Sequence, residues 1–245
     1  MSYESPLSRV ELLAGADGLS KLTNTKIIVF GTGGVGSWCA ESLARSGIGQ
    51  MTIVDNDVVM PSNMNRQLMA GTDTLGEPKV NVLAERLLKV APHCHVCPRQ
   101  ETYSVETALT FDLQSYDYVV DAIDSLENKA DLIYRVGQME QTKIFSSMGA
   151  ALKIDPCQVR VADFWQVKTC PLARALRKHL RANGMIVPEG RVACVYSTES
   201  GHNKREATDS RGKRINGTLA HITAIFGFTL AGLIVEDVLR GVKPD

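Results

Sequence analysis

Residues 29–57 read VFGTGGVGSWCAESLARSGIGQMTIVDND, and this stretch decides the fold. An apolar run ends in a glycine turn, a helix-compatible segment comes next, and a second apolar run closes on acidic residues. Gly31, Gly33 and Gly36 form G-x-G-x-x-G directly after a strand and at the start of a helix, with Gly34 in the same turn. Small residues there let backbone N–H groups and the helix N-terminus approach a phosphate. Asp55 follows Gly36 by 19 residues, at the end of the second strand, where a carboxylate can accept hydrogen bonds from ribose hydroxyls. A glycine turn that only tightens helix–strand packing, with a surface aspartate after it, is the plainer reading, and the matched spacing counts against it. The glycines alone fit a hydride carrier and ATP equally.

Outward from that unit, short apolar runs at 26–30, 51–55, 117–122 and 142–147 alternate with helical patterns at 80–90 and 127–139. Strands buried on both faces read this way, and the alternation predicts a parallel sheet wrapped by helices. After Pro156 the pattern changes to a further strand over 158–164, a helix over 170–184 with Pro171 in its first turn and Gly184 at its end, and a strand pattern in VACVYS. The fold class expected is α/β, a Rossmann-like and mostly parallel sheet flanked by helices, with a C-terminal strand and helix extension. One domain is expected over 1–245, with a nucleotide-binding core at 1–150 and a substrate-facing extension at 151–245. The 197–217 stretch, polar and without apolar period, reads as a mobile functional loop.

With 245 residues, 44% hydrophobic and 22% charged, the chain can bury one large core. The N-terminal MSYESPLSRVELL has no basic stretch leading into an apolar one, so cytoplasmic location is the expectation. Six scattered cysteines fit reduced thiols better than a disulfide framework. The apolar 219–241 segment is broken by His221, Glu236 and Asp237, which favours a core helix over a membrane span.

The formal net charge is zero, but its distribution is uneven. Lys168 to Arg214 holds eleven Lys or Arg against four Asp or Glu, which leaves sixteen basic and twenty-three acidic residues elsewhere. Such asymmetry suits a polyanion such as RNA, through phosphate neutralisation and counterion release. A solvated helix face plus a basic loop would give the same count.

The residues beyond Asp55 do not suit hydride transfer. The runs DNDVVMPSNMNRQLM (55–69), GEPKV (76–80) and DAIDS (121–125) bring Asn63, Arg66, Gln67, Lys79 and Asp124 to one sheet edge. Arg66 and Lys79 can neutralise phosphate oxygens, and Asp124 at a strand end can hold the hard cation that ATP carries. Individually each has an alternative: a loop charge, a solvated lysine, a cap for the helix beginning near Ser125.

These motifs together resemble the nucleotide core of the ubiquitin-activating-enzyme-like adenylating proteins, over Arg9 to about Gly149. The resemblance implies ATP and Mg2+ as cofactors and attack of a substrate carboxylate on the α-phosphate. It implies that Asp55 holds the ribose, that Asn63, Arg66 and Gln67 line the phosphate and adenosine pocket, and that Lys79 contacts phosphate. Asp124 would hold magnesium. It also implies a homodimer, with Arg9 entering the neighbouring subunit's site. SSMGAALKIDPCQVRVADFWQVKTCPLARALRKHLRANG and CVYSTES resemble the branch that dehydrates threonylcarbamoyladenosine in tRNA to its cyclic form. That reading gives the basic segment a task, with Arg174, Arg177, Lys178 and Arg181 on the helix and Lys204, Arg205, Arg211, Lys213 and Arg214 on the loop as tRNA contacts. The alternative is activation of the C-terminal glycine of a sulfur-carrier protein, with a carrier or sulfur-relay partner.

The cysteines weigh on that choice. Cys94 and Cys97 make one C-x-x-C beside His93 and His95, with no second pair at zinc-ribbon spacing, so packing is favoured over metal. Cys170, at a helix start beside Lys168, and Cys194 are the candidates for a reactive thiol, with a packing role as the equal alternative.

Overall fold

The computed structural model describes residues 5–208, 212 and 214–240; Arg211 and Lys213 lie outside the described residues, as do residues 1–4 and the last five. Seven strands form one sheet: β1 (Lys26–Phe30), β2 (Gln50–Val54), β3 (His95–Arg99), β4 (Tyr118–Asp121), β5 (Lys143–Ser147), β6 (Val159–Asp163) and β7 (Val192–Ser197). Their spatial order is β3-β2-β1-β4-β5-β7-β6, and every neighbouring pair is parallel except β6 against β7. The strand cores KIIVF, QMTIV and YVVD are β-branched and apolar because they are covered on both faces.

Alternate residues of each central strand serve opposite layers. Ile27 and Val29 join a core under α2 (Gly36–Arg45), α3 (Lys79–Val90) and α6 (Ala220–Leu239), while Ile28 and Phe30 join a second core under α4 (Leu126–Gly137) and α5 (Pro171–Ala182). The expected elements stand, with ends moved by one or two residues. Helix α5 begins at Pro171 and ends in the closing turn anticipated for Gly184, which has φ +66° while Met185 N–H donates to Leu180 O at 2.9 Å.

Helix α1 (Ser8–Asn24) was not legible in the sequence, since Gly15 breaks it with φ 72° and ψ 169° and no continuous apolar stripe runs along it. Helix α6 is long and apolar enough to cross a membrane. Here it lies on the sheet and against α2, burying Ile222, Phe226, Leu230 and Ile234. The helices come close at Gly227, where a Cβ would sit 2.6 Å from Val35 O and 2.8 Å from Cys39 N.

The 198–218 segment contains no helix or strand among its described residues, only an isolated bridge between Thr208 and Arg214. Its return is fastened. Asn203 donates from Nδ2 to Ile215 O at 2.7 Å and accepts from Gly217 N–H at 2.8 Å, and Leu152 N–H donates to Gly217 O at 2.9 Å.

Candidate nucleotide site

Strands β2 and β3 lie on one side of β1, and β4 onward on the other, so the strand order reverses between β1 and β4. In open parallel sheets a ligand crevice lies outside the carboxyl ends of the strands at such a point. Register aligns Phe30 with Val54 and with Asp121, which brings Gly31, Asp55 and Ala122 together above the sheet. A cavity of about 600 Å3 opens there.

The glycines differ in what they permit. A Cβ at Gly36 would fall 1.8 Å from Gly31 O, and Gly31 has φ +86° with Ala122 O 2.6 Å from the place of its missing Cβ. Neither position accepts a side chain without moving backbone. At Gly34 a Cβ would press on Thr223 of α6 at 3.1 Å, whereas at Gly33 it would meet only Gln67 Nε2, at 3.8 Å. Gly33 and Gly34 line the cavity where α2 begins, so the positive end of the helix dipole favours an anion bound there.

Asp55 is preset by the turn it faces. Its carboxylate accepts from Thr32 N–H at 2.7 Å and Thr32 Oγ at 3.1 Å on one oxygen, and from Asp57 N–H at 2.9 Å on the other. A carboxylate has about four acceptor sites, so capacity remains for a ribose hydroxyl.

Lys79, which begins α3, is buried with its Nζ 2.7 Å from Asp57 Oδ2, and Asp57 is exposed. Asp57, given no role from sequence, is therefore the charge partner that holds Lys79 in place. Lys79 N–H also donates to Asp57 O at 3.0 Å, tying the two segments together. Arg66 is half-buried and donates to Ser62 O at 2.8 Å and Asn65 Oδ1 at 2.9 Å. Burial pushes its guanidinium below the usual arginine range.

Asn63 is buried, accepts from Met60 N–H at 3.0 Å and closes the turn that carries Arg66. Gln67 is buried with Oε1 lacking any hydrogen-bond partner among the described residues. A buried orphan acceptor costs about 1–3 kcal/mol, which a ligand hydroxyl or amino donor would recover. This is the clearest sign that the cavity suits a nucleotide.

Asp124 is exposed on the cavity wall. The helix after it is α4, whose N-cap is Ser125 with no side-chain cap bond, so Asp124 does not serve as the helix cap. No group of three or more metal-ligating side chains exists among the described residues. One hard carboxylate beside a phosphate site is the donor set of a magnesium that keeps waters and phosphate oxygens as its other ligands.

The remaining expected residues are more dispersed. Arg9 is exposed on α1 and does not line the cavity. On α5, Arg174, Lys178 and Arg181 are exposed, and the Arg181 guanidinium sits 5.3 Å from the Trp165 ring centroid. Arg177 is engaged elsewhere: one guanidinium nitrogen donates to Phe164 O at 2.9 Å, Val167 O at 3.0 Å and Trp165 O at 3.4 Å. Lys204, Arg205 and Arg214 are exposed on the loop. Leu172 of α5 and Thr218 at the loop's end both line the cavity, so the basic elements reach its mouth.

Cys170 is buried as the N-cap of α5, and Cys194 is fully buried in β7, where burial pushes its thiol far up. Burial denies both thiols the accessibility a nucleophilic thiolate needs. Cys94 is buried and Cys97 exposed on the edge strand, and His93 Nε2 is 3.0 Å from Ala44 O.

A doubly wound sheet with a glycine turn, a preset carboxylate and a buried lysine around its reversal point defines a nucleotide-binding α/β protein. Comparison with known proteins narrows the class: the profile of the ThiF family matches residues 7–242, and the chain belongs to that family. A Bacillus subtilis tRNA threonylcarbamoyladenosine dehydratase is 36% identical over 246 residues, covering 96% of this chain and 95% of that protein. The solved structure of Escherichia coli tRNA N6-threonylcarbamoyladenosine dehydratase in complex with ATP superposes with a TM-score of 0.87 at 33% identity, over 97% of this chain and 95% of that one. An adenylyltransferase and sulfurtransferase of Saccharomyces cerevisiae is 39% identical over 119 residues, which is 47% of this chain and 26% of that protein.

Proposed function

We propose that the protein catalyses the ATP-dependent dehydration of threonylcarbamoyladenosine in tRNA to its cyclic form. The observation that carries the reading is the convergence of Arg66, Lys79 and Asp124 on one cavity whose mouth is edged by the basic helix α5 and the basic loop. The near full-length similarity to dehydratases, against a partial one to a sulfur-carrier activator, favours tRNA over a carrier protein as the substrate.

In this reading the glycine turn and the α2 N-terminus receive the phosphates, Asp55 takes a ribose hydroxyl, and Gln67 Oε1 gains its missing donor. Lys79 and Arg66 draw charge from the triphosphate as the threonyl carboxylate attacks the α-phosphate and pyrophosphate leaves. Asp124 would hold magnesium, which when bound would neutralise phosphate charge. A ureido atom of the same modified base then attacks the activated carbonyl, and AMP departs with one carboxylate oxygen. The second step gains from proximity because nucleophile and electrophile sit on one base. It needs no protein nucleophile, in keeping with the burial of Cys170 and Cys194.

The enzyme acts as a homodimer, with Arg9 of each subunit supplied to the neighbour's cavity, and it works in the cytoplasm where its tRNA is found. Arg174, Lys178, Arg181, Lys204 and Arg205 are the tRNA contacts. Incubation with ATP, magnesium and tRNA carrying the modified base tests this: the nucleoside should lose the mass of one water. An unchanged nucleoside from a preparation that binds ATP would overturn it.

A further inference from the structure

Among the described residues, Lys129 is the largest charged side chain with no exposure at all. Its Nζ lies 2.8 Å from Asp121 Oδ2, and both side chains are fully buried. The isolation of such a pair from water is costly unless hydrogen bonds complete its shell. Here the shell is built from the chain segment that leads to Asp124. Lys129 donates to Ile123 O at 3.1 Å and reaches Asp121 O at 3.5 Å. Asp121 accepts from Ile123 N–H at 3.2 Å on one oxygen and from Ser146 Oγ, on the neighbouring strand β5, at 2.7 Å on the other.

Both polar groups of Ile123 are thus fixed from below, its N–H by the Asp121 carboxylate and its C=O by the Lys129 ammonium. Ile123 C=O belongs to the peptide joined to Asp124, so the direction in which Asp124 leaves the backbone is set by the ammonium. Beyond Asp124 the chain enters α4 at once, and Lys129 N–H bonds back to Ser125 O at 3.0 Å. The loop 121–125 closes around one buried nitrogen.

We propose that Lys129 is a positioning residue for Asp124, holding its carboxylate at the metal and phosphate end of the cavity through the Ile123 peptide. The proposal rests on the reading of the cavity as an ATP site. A buried ion pair that served only stability could sit anywhere under the sheet; this one holds both the N–H and the C=O of the residue before Asp124.

Lys129→Met alone would strand a buried carboxylate, so the test pairs it with Asp121→Asn, which keeps the core neutral. The readouts are thermal unfolding and the binding of Mn2+, monitored by its paramagnetic resonance, to protein saturated with a non-hydrolysable ATP analogue. The double variant should remain folded, bind the analogue without metal within about twofold of the unaltered protein, and lose at least about tenfold in Mn2+ affinity. Adding Asp124→Ala to it should cause no further loss of Mn2+ affinity, because the two act through one ligand. Ser146→Ala, which loosens the pair without touching the Ile123 clamp, should lower the melting temperature and leave Mn2+ affinity within about twofold.

Unaltered Mn2+ affinity in the double variant would overturn the proposal and leave the ATP reading intact. So would a tenfold loss in Ser146→Ala, since general loosening would then suffice, and this arm decides the matter if the double variant does not fold. Failure of the unaltered protein to bind the analogue and Mn2+ would overturn both.

Discussion

Helix α6 contains two glycines whose replacement by alanine should have opposite effects. At Gly227 a Cβ would stand 2.6 Å from Val35 O, 2.8 Å from Cys39 N and 2.9 Å from Trp38 Cβ, where ordinary contact begins at 3.4 Å. Relief requires α2 and α6 to part by about 0.8 Å, the shortfall at the closest atom. Overpacking of this kind costs about 1–3 kcal/mol, and alanine's helical advantage over glycine, about 1 kcal/mol, offsets part of it. At about 2–4 °C per kcal/mol for a chain of this size, a net loss of up to about 2 kcal/mol lowers the melting temperature by up to about 8 °C. Gly232, five residues on, has nothing within 4 Å of its missing Cβ and is exposed. Gly232→Ala keeps the helical gain alone and should raise the melting temperature by about 2–4 °C. Because α2 starts at the glycine turn and a Cβ at Gly34 would already press on Thr223, Gly227→Ala should also weaken ATP binding measured by calorimetry, while Gly232→Ala should not. Equal shifts of the same sign in thermal unfolding would refute the reasoning from helix proximity.

The site and its supports carry further expected outcomes. Asp124→Ala should abolish adenylation, read by pyrophosphate exchange, and leave tRNA binding within about twofold in a filter assay; equal loss of both would indicate misfolding. Arg174→Ala with Lys178→Ala should leave thermal stability unchanged but lower the salt dependence of tRNA binding by about 0.7–0.9 for each phosphate no longer neutralised. Arg177→Ala should act the other way, lowering the melting temperature because three carbonyls lose their donor at about 1–3 kcal/mol; a stable variant with weakened tRNA binding would return Arg177 to the RNA face. Burial pushes Glu41 up, but the hydrogen bonds and charges of Arg86 at 2.5 Å and Arg45 at 2.9 Å outweigh it, so its carboxyl lies below the ordinary value of 4.5. A depressed folded value means stability present above about pH 4.5 and lost as pH falls through it. Glu41→Gln should therefore melt lower at neutral pH and show a flatter acid limb, and an unchanged acid limb would show that Glu41 contributes none of it.

The sheet apart from its exposed edge strand β3 and the helices α2 to α6 were legible because central strands and flanking helices impose different apolar periods on the sequence. Helix α1 was not, because Gly15 and Gly18 interrupt its pattern and α6 is its main neighbour. Motif spacing located the glycine turn, Asp55, Lys79 and Asp124, but could not reveal that Asp57 is the partner of Lys79, since that pair forms only when the turn at 57 meets the start of α3. Charge count exaggerated the basic face: Arg177 lies at the right helical spacing, yet its guanidinium closes the 164–167 turn. Lys129 does carry a signal in the sequence. It falls on the stripe shared by Leu126, Ala130, Ile133 and Val136, and a lysine on a buried stripe requires a partner.

Carboxylate adenylation is tested most directly by tracing an oxygen atom. With both threonyl carboxylate oxygens of the modified tRNA labelled with 18O, one turnover in the presence of ATP and magnesium should transfer one labelled oxygen to the phosphate of AMP and leave one in the cyclic product. AMP released without label, alongside a dehydrated nucleoside that keeps both labelled oxygens, would contradict attack of the carboxylate on the α-phosphate.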